Sequence, residues 1–314
     1  FRGSRVPGQQ RKTGSGDPIR MKKEMMNPSL SRGMKTLSCL GLAITLLLVL
    51  AAGCTHSEKY TVTETPALIT GNAEMTSALA AVTAEIQESL NDIDNQVSGA
   101  ATALGKTGIS GPAAEAILER AALSHPAIQD IITYDTGGIV RAAEPGSARD
   151  LVGRNLTGQE IVRKALQEQR PLMSDLFSLS EGGTGAVIAY PVHAQDGTFI
   201  GVVSLAFSPP ALVTPIAGDA TSGTPFSVMV TETGGRILYD ADPAQVGKET
   251  FNETMFAGFP EILDIARNLP GNRTGHATYS FSGSGSKNVI RKEAFWSTVS
   301  LHGTEWRVFV IREI

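Results

Sequence analysis

Apolar residues recur at helical spacing over residues 72–104. They stand three, four or seven positions apart, which places them on one narrow face of a single long helix. The members of this apolar stripe are Leu79, Val82, Ile86, Leu90, Ile93, Val97 and Leu104. A stripe of this kind packs against its own fold, pairs with a partner helix in a homodimer, or does both. Gly105 to Gly111 interrupts it, and Pro112 begins a second helix that ends before Pro126.

After Pro126 the pattern changes to short apolar runs bounded by turn residues. It predicts strands at 131–134, 139–142, 186–192 and 199–207, with a helix at 159–167. A similar order returns in residues 227–311, and TYDTGGIVRAAEP (133–145) is echoed by VTETGGRILYDADP (230–243). A repeat of about 100 residues indicates duplication of a whole unit. The expected fold is α+β: a long helix, then two PAS-like units, each an antiparallel sheet of about five strands with flanking helices.

The N-terminal region is typical of an export signal. A basic leader (1–33) precedes MKTLSCLGLAITLLLVLAAGC, in which the apolar run of 40–52 is shorter than a membrane span. Its end, Leu-Ala-Ala-Gly-Cys, resembles the lipobox of prokaryotic lipoproteins, which implies that Cys54 is lipidated. The alternative is an uncleaved anchor helix. Both place the rest of the chain on the outer face of the cell membrane.

These patterns divide the chain into six segments. They are a leader at 1–33, a signal peptide at 34–53, a lipid-anchored tether at 54–70, the two helices at 71–126, a membrane-distal unit at 127–215 and a membrane-proximal unit at 216–314.

Charge and composition exclude several function classes. Eighteen basic and 29 acidic residues follow Cys54, and such an acidic surface argues against nucleic-acid binding. Both cysteines, Cys39 and Cys54, lie in the N-terminal region, and the five histidines lack ligand spacing, so we expect no metal and no cofactor. Catalytic signatures such as His-Glu-x-x-His, Gly-x-Ser-x-Gly and the P-loop are missing, so we expect no enzyme.

The series YDTGGIVRAAEP, LVGRNLTGQEIVRKAL and AYPVHAQDGTFIGVVSLAF resembles the double Cache sensor family. The resemblance extends over residues 72–314. It implies an extracytoplasmic receptor that holds a small ligand in the distal unit, while the second unit has a structural role. We expect no output domain in this protein, so the resemblance also implies that any signal passes to a partner protein.

The amino-acid-binding subset of that family carries motif residues that this chain has largely lost. The matching positions hold Gln159, Ile161, Val162, Met173 and Ala206, and of that motif Asp175 is retained. We therefore expect no binding of free α-amino acids in that manner. The polar residues left near the expected pocket are Arg141, Arg154, Gln159, Arg163, Asp175, Tyr190 and His193. Their arginines suit an anion such as a carboxylate.

The function expected from the sequence is small-molecule sensing by a lipid-anchored, non-enzymatic module. Two alternatives stay open: a solute-capturing lipoprotein that serves a transporter, and a surface scaffold that assembles through the long helix. Saturable binding of a small ligand separates the first two from the third.

Overall fold

The computed structural model describes residues 66–314 except 181, 251, 255 and 283–287, with side chains from residue 72 onward. The predicted lipidation site, Cys54, and the signal peptide lie outside the described residues. The described part contains the α-helices α1 (Pro66–Thr107), α2 (Pro112–Ala122), α3 (Glu160–Glu168), α4 (Pro209–Thr221) and α5 (Pro260–Asn268). None of these helices is both long enough and apolar enough to cross a membrane.

The strands form two antiparallel sheets of the same topology. The first sheet has the order β2-β1-β6-β5-β3, and the short β4 pairs with β5. The second sheet has the order β8-β7-β11-β10-β9. The strands of the first sheet are β1 (Ile128–Tyr134), β2 (Val140–Glu144), β3 (Leu172–Met173), β4 (Phe177–Ser178), β5 (Thr184–His193) and β6 (Phe199–Phe207). Those of the second are β7 (Ser227–Glu232), β8 (Ile237–Asp240), β9 (Gly275–Phe281), β10 (Ile290–Leu301) and β11 (Thr304–Glu313).

The apolar stripe of α1 is buried within the chain itself. All seven predicted members are at most 8 % exposed, and they share one core with apolar side chains of both sheets. In the first sheet these are residues such as Ile188 and Leu205, and in the second Val230 and Val308. The stripe is therefore covered by the fold. A homodimer through α1 stays a prediction, and it would have to use the other faces of that helix.

Each sheet turns its opposite face toward a short helix that follows its second strand. In the first unit α3 places Ile161, Val162 and Ala165 on that face. In the second unit α5 does the same with Ile265 and Ala266. The predicted α+β class, with a long helix followed by two PAS-like units, is confirmed.

The sequence patterns did not predict helix α4, which joins the two units. Ser208 caps its N-terminus by accepting a hydrogen bond from the Ala211 N–H at 3.2 Å. Pro209 and Pro210 occupy its first turn, where the missing N–H groups cost nothing. Its buried residues, which include Leu212, Val213 and Ile216, pack into the core around α1. The helix thus fixes how the second sheet follows the first.

Candidate functional site

The predicted ligand site lies on the α3 face of the first sheet. Gln169 ends α3 with its backbone in the left-handed conformation, and the chain then turns back into β3. Side chains of β1, β5 and β6 fill the space under the helix together with two leucines of the preceding loop, Leu151 and Leu156. This face is therefore an apolar core, with its polar residues at the rim.

Four of the predicted site residues make hydrogen bonds at that rim, and three of these residues bond to partners four to six positions away along the chain. Arg141, which is half exposed, donates from Nε to Asp135 Oδ2 at 2.8 Å. Arg154 Nε donates to the carbonyl of Asp150 at 2.9 Å, and Gln159 Nε2 donates to Ser180 Oγ at 2.7 Å. Arg163 donates from one guanidinium nitrogen to the carbonyls of residues 157 and 158. These bonds hold the loops around α3, and they do not bring the four side chains to one point.

Tyr190 lies on the opposite face of the sheet from α3. Successive residues of a strand point to opposite faces, and Ala189 lies in the core under α3 while Tyr190 packs toward α1. There its hydroxyl donates to Asp94 Oδ2 at 2.9 Å, and His302 Nε2 lies 2.6 Å from the other oxygen of the same carboxylate. Tyr190 therefore ties α1 and the turn between β10 and β11 to the first sheet. His193 is exposed at the end of β5, with its ring against Phe199.

Asp175 lines a groove of about 400 Å³ beside α3. The groove also contains Lys164, Glu168 and Arg170, and its far side is formed by the turn between β10 and β11, where Thr304 Oγ1 donates to the carbonyl of Met173 at 2.7 Å. Lys164 pairs with Glu160 at 2.7 Å, and Arg170 pairs with Glu168. Both cations are near the surface, so they can exchange these partners for a ligand carboxylate at little cost.

A buried glutamate of the second unit reaches the same loop from the other side. Glu232 at the end of β7 is 7 % exposed and accepts the Leu176 N–H at 2.5 Å. Arg236 donates to the carbonyl of Leu176 at 2.6 Å and pairs with Glu249 at 2.8 Å. Burial, with a smaller contribution from nearby Asp175, raises the pKa of Glu232 to about 7. No local pattern in the sequence predicts this contact, because it joins residues 56 positions apart.

The second unit contains a cavity of about 340 Å³ at the position that α3 covers in the first unit. It lies between α5 and the second sheet, and it is open to solvent on one side. Its polar residues include Thr231, Asp240, Tyr279 and Lys292. The duplicated pattern predicted an equivalent face here, but nothing in the sequence distinguished an open face from a filled one. Within the described ranges, no cluster of three or more His, Cys, Asp or Glu side chains is placed to hold a metal ion.

Residues 88–209 match the family described as HK/GC/Chemotaxis protein-like, sensor domain. The matched segment runs from the second half of α1 through β6, so it contains the whole first sheet. The resemblance to a sensor domain is confirmed. None of the curated protein sequences compared with the chain matches it.

Solved structures of ligand-binding domains share the fold. An extracellular ligand binding receptor from Desulfohalobium retbaense is 25 % identical with a TM-score of 0.64, over 76 % of this chain and 40 % of the receptor. The matched part is thus less than half of the length of that receptor. The ligand-binding domain of the chemoreceptor PctB of Pseudomonas aeruginosa, in complex with L-Arg, is 16 % identical with a TM-score of 0.53. That match covers 78 % of this chain and 94 % of the PctB domain. The ligand-binding domain of the chemoreceptor CtaA of Pseudomonas fluorescens, in complex with L-alanine, is 15 % identical with a TM-score of 0.54. That match covers 76 % of this chain and 95 % of the CtaA domain.

Proposed function

We propose that this protein senses a small molecule outside the cytoplasm and passes the signal to a partner protein. The observation that carries the proposal is the sensor-domain match over residues 88–209, since the matched segment contains the second half of α1, α2 and the whole first sheet. The similarity in fold to ligand-binding domains of chemoreceptors supports binding, in preference to catalysis, as the activity of the module.

The ligand site that we propose in the distal unit is the groove at Asp175. A ligand there would meet the Asp175 carboxylate together with Lys164 and Arg170. These charges suit a molecule with a carboxylate, and Asp175 suits a hydrogen-bond donor elsewhere on the same molecule. Of the other predicted residues, Arg141, Arg154, Gln159 and Arg163 hold the loops around α3, Tyr190 joins α1 to the first sheet, and His193 is exposed at the end of β5.

Contact with the turn between β10 and β11 gives the groove a route to the second unit. The groove is lined by residues 302–304 of that turn, and His302 bonds to Asp94 on α1. A ligand that moves the turn would shift a residue bonded to the long helix. We propose that binding is transmitted along α1 in this way.

The test is a thermal-shift screen of the full chain against carboxylates, amino acids, amines, purines and sugars. A ligand at 100 times its Kd stabilises the folded state by about 2.7 kcal/mol. Asp175→Asn should remove the shift caused by a distal ligand, while Asp150→Asn, an exposed acid outside the groove, should leave it intact. A shift that survives Asp175→Asn would place the ligand elsewhere, and a panel without any shift would contradict sensing of these molecules.

We also propose that the module is lipid-anchored through Cys54, on the basis of the Leu-Ala-Ala-Gly-Cys segment. Cys54→Ser should stop lipidation, and Cys39→Ser, in the same apolar segment, should not. The measurement is incorporation of a labelled fatty acid in a bacterial host. Equal labelling of the two variants would refute the proposal.

A further inference from the structure

The second-unit cavity has the size of a ligand site and mostly apolar walls. At about 340 Å³ it is more than twice a cavity that holds benzene and falls within the usual range for small-molecule pockets. Protein interiors normally leave few voids larger than one water molecule. The apolar wall is formed by side chains from α5, from the sheet and from the loop before α5, and these include Met229, Phe256, Ile262, Ile265, Phe281, Phe309 and Ile311.

One polar group in this wall has no partner. Thr231 borders the cavity and is fully buried, and its hydroxyl has no hydrogen-bond partner among the described residues. Buried hydroxyls in folded proteins are nearly always satisfied by protein groups or bound molecules. The Thr231 hydroxyl is thus a polar group beside the cavity that the described residues leave unsatisfied.

The charge available to a ligand is the carboxylate of Asp240. One of its oxygens accepts the N–H of Asp242 at 2.8 Å, and no Lys, Arg or His nitrogen of the described residues lies within 4 Å of it. Burial raises the pKa of this carboxyl, and Asp240 in turn helps to raise the pKa of the Tyr279 hydroxyl nearby. A carboxylate in partly apolar surroundings is stabilised by a cation placed beside it.

The other charges of the wall are already engaged or exposed. The carboxylate of Asp242 accepts from the Ala244 N–H and from Gln245 Nε2, both at 3.0 Å, and thereby caps a short helical turn. Glu313 is exposed. The Lys292 ammonium lies over the ring of Phe281, 5.6 Å from its centroid, and it is the one cation among the cavity-lining residues. With more acids than bases in the wall, a cationic ligand is favoured over an anionic one.

We propose that the second-unit cavity binds an aralkylamine, that is, a small aromatic molecule with one ammonium group. The ammonium pairs with Asp240, and the aromatic part packs against the Phe, Met and Ile side chains under α5. Phe256 and Phe309 also line the cavity, and an aromatic ring close to an ammonium group attracts its positive charge. This site is separate from the groove at Asp175, so it extends the sensing function to the unit for which the sequence predicted only a structural role.

The experiment is isothermal titration of the full chain with three probes that share one ring system. Tryptamine has the ammonium, indole-3-propionate has a carboxylate in its place, and 3-ethylindole is neutral. We expect tryptamine to bind at least tenfold more tightly than either of the others. Asp240→Asn should remove this preference, whereas Asp264→Asn, an exposed acid on the outer side of α5, should leave it unchanged.

A cavity-filling variant keeps the proposal testable if Asp240→Asn disturbs folding. Ala266 is buried on the cavity side of α5, so Ala266→Phe should fill the space and abolish tryptamine binding. Binding that survives Ala266→Phe would overturn the proposed location. Equal or tighter binding of indole-3-propionate would overturn the ligand class, and no binding of any probe at 10 mM would overturn the site. Asp175→Asn should have no effect on tryptamine, so this result does not depend on the distal proposal.

Discussion

Glu232→Gln should remove a pH dependence of stability that arises where the two units meet. Glu232 is buried, and it accepts the backbone N–H of Leu176 from the first unit. The charged groups around it are Asp175, Arg236 and Glu249, with Arg236 paired to Glu249. A glutamine can keep the acceptor for Leu176, and Arg236 keeps its other partners. The substitution therefore changes the titration with little change in the contacts.

The sign and size of the effect follow from the pKa. In the folded state the pKa of Glu232 is raised from 4.5 to about 7, chiefly by burial, so between these values the folded chain holds a proton that the unfolded chain has lost. Stability must then fall as the pH rises through this range and level off above pH 7. The slope is at most about 1.4 kcal/mol per pH unit. Over two pH units the loss in the free energy of unfolding is therefore at most about 3 kcal/mol.

Urea unfolding of the full chain at pH 5, 6, 7 and 8 measures this loss. The free energy of unfolding of the wild type minus that of Glu232→Gln should fall by about 2 kcal/mol from pH 5 to pH 7 and then stay constant. Taking the difference cancels the histidines, which titrate in both proteins. Glu249→Gln is the control, because it removes an acid of the same cluster that is 44 % exposed. A difference that does not change with pH would refute the reasoning.

Three further substitutions test the packing. Leu90→Ala, at 1 % exposure in the α1 stripe, should lower the free energy of unfolding by about 2–5 kcal/mol in urea, while exposed Glu88→Ala should change it by less than about 0.5 kcal/mol. Gly201→Ala should cost more than about 2 kcal/mol, because φ is +150° there and the added Cβ would lie 2.3 Å from the carbonyl oxygen of Tyr134. Thr231→Val should stabilise the protein by about 1 kcal/mol, because it removes a buried hydroxyl that has no hydrogen-bond partner among the described residues; a loss of stability would show that the hydroxyl is satisfied.

Periodicity and repetition predicted most of the fold. The α1 stripe was readable because each member faces the same core, and that core extends over both sheets. The second unit was readable because TETGGRI repeats the strand–turn–strand order of YDTGGIV. Both patterns are local or repeated, so they can be recognised in the sequence without knowledge of tertiary contacts.

Helix α4 shows where the pattern was ambiguous. The helix contains three prolines, Pro209, Pro210 and Pro215, and Pro215 lies in its interior. Two of these prolines stand in the first turn after a serine cap, which is a start signal for a helix. The apolar residues after them pack against α1, and this tertiary packing outweighs the cost of the third proline.

The site residues were harder to predict, because which face a side chain takes depends on strand register. A shift of one position separates Ala189, under α3, from Tyr190, against α1. The contents of the two equivalent faces depend further on side-chain volume. In the first unit a 3-10 helix, Gly146–Leu151, follows β2, and Leu151 at its end and Leu156 after it fill the space under α3. In the second unit the 3-10 helix Pro243–Gln245 follows β8, and Gln245 at its end and Thr250 after it line an open cavity, so the space stays available to a ligand. Duplication thus preserves the frame of a binding site, and the residues at the end of each 3-10 helix and just after it decide whether that site is filled by the chain or left for another molecule.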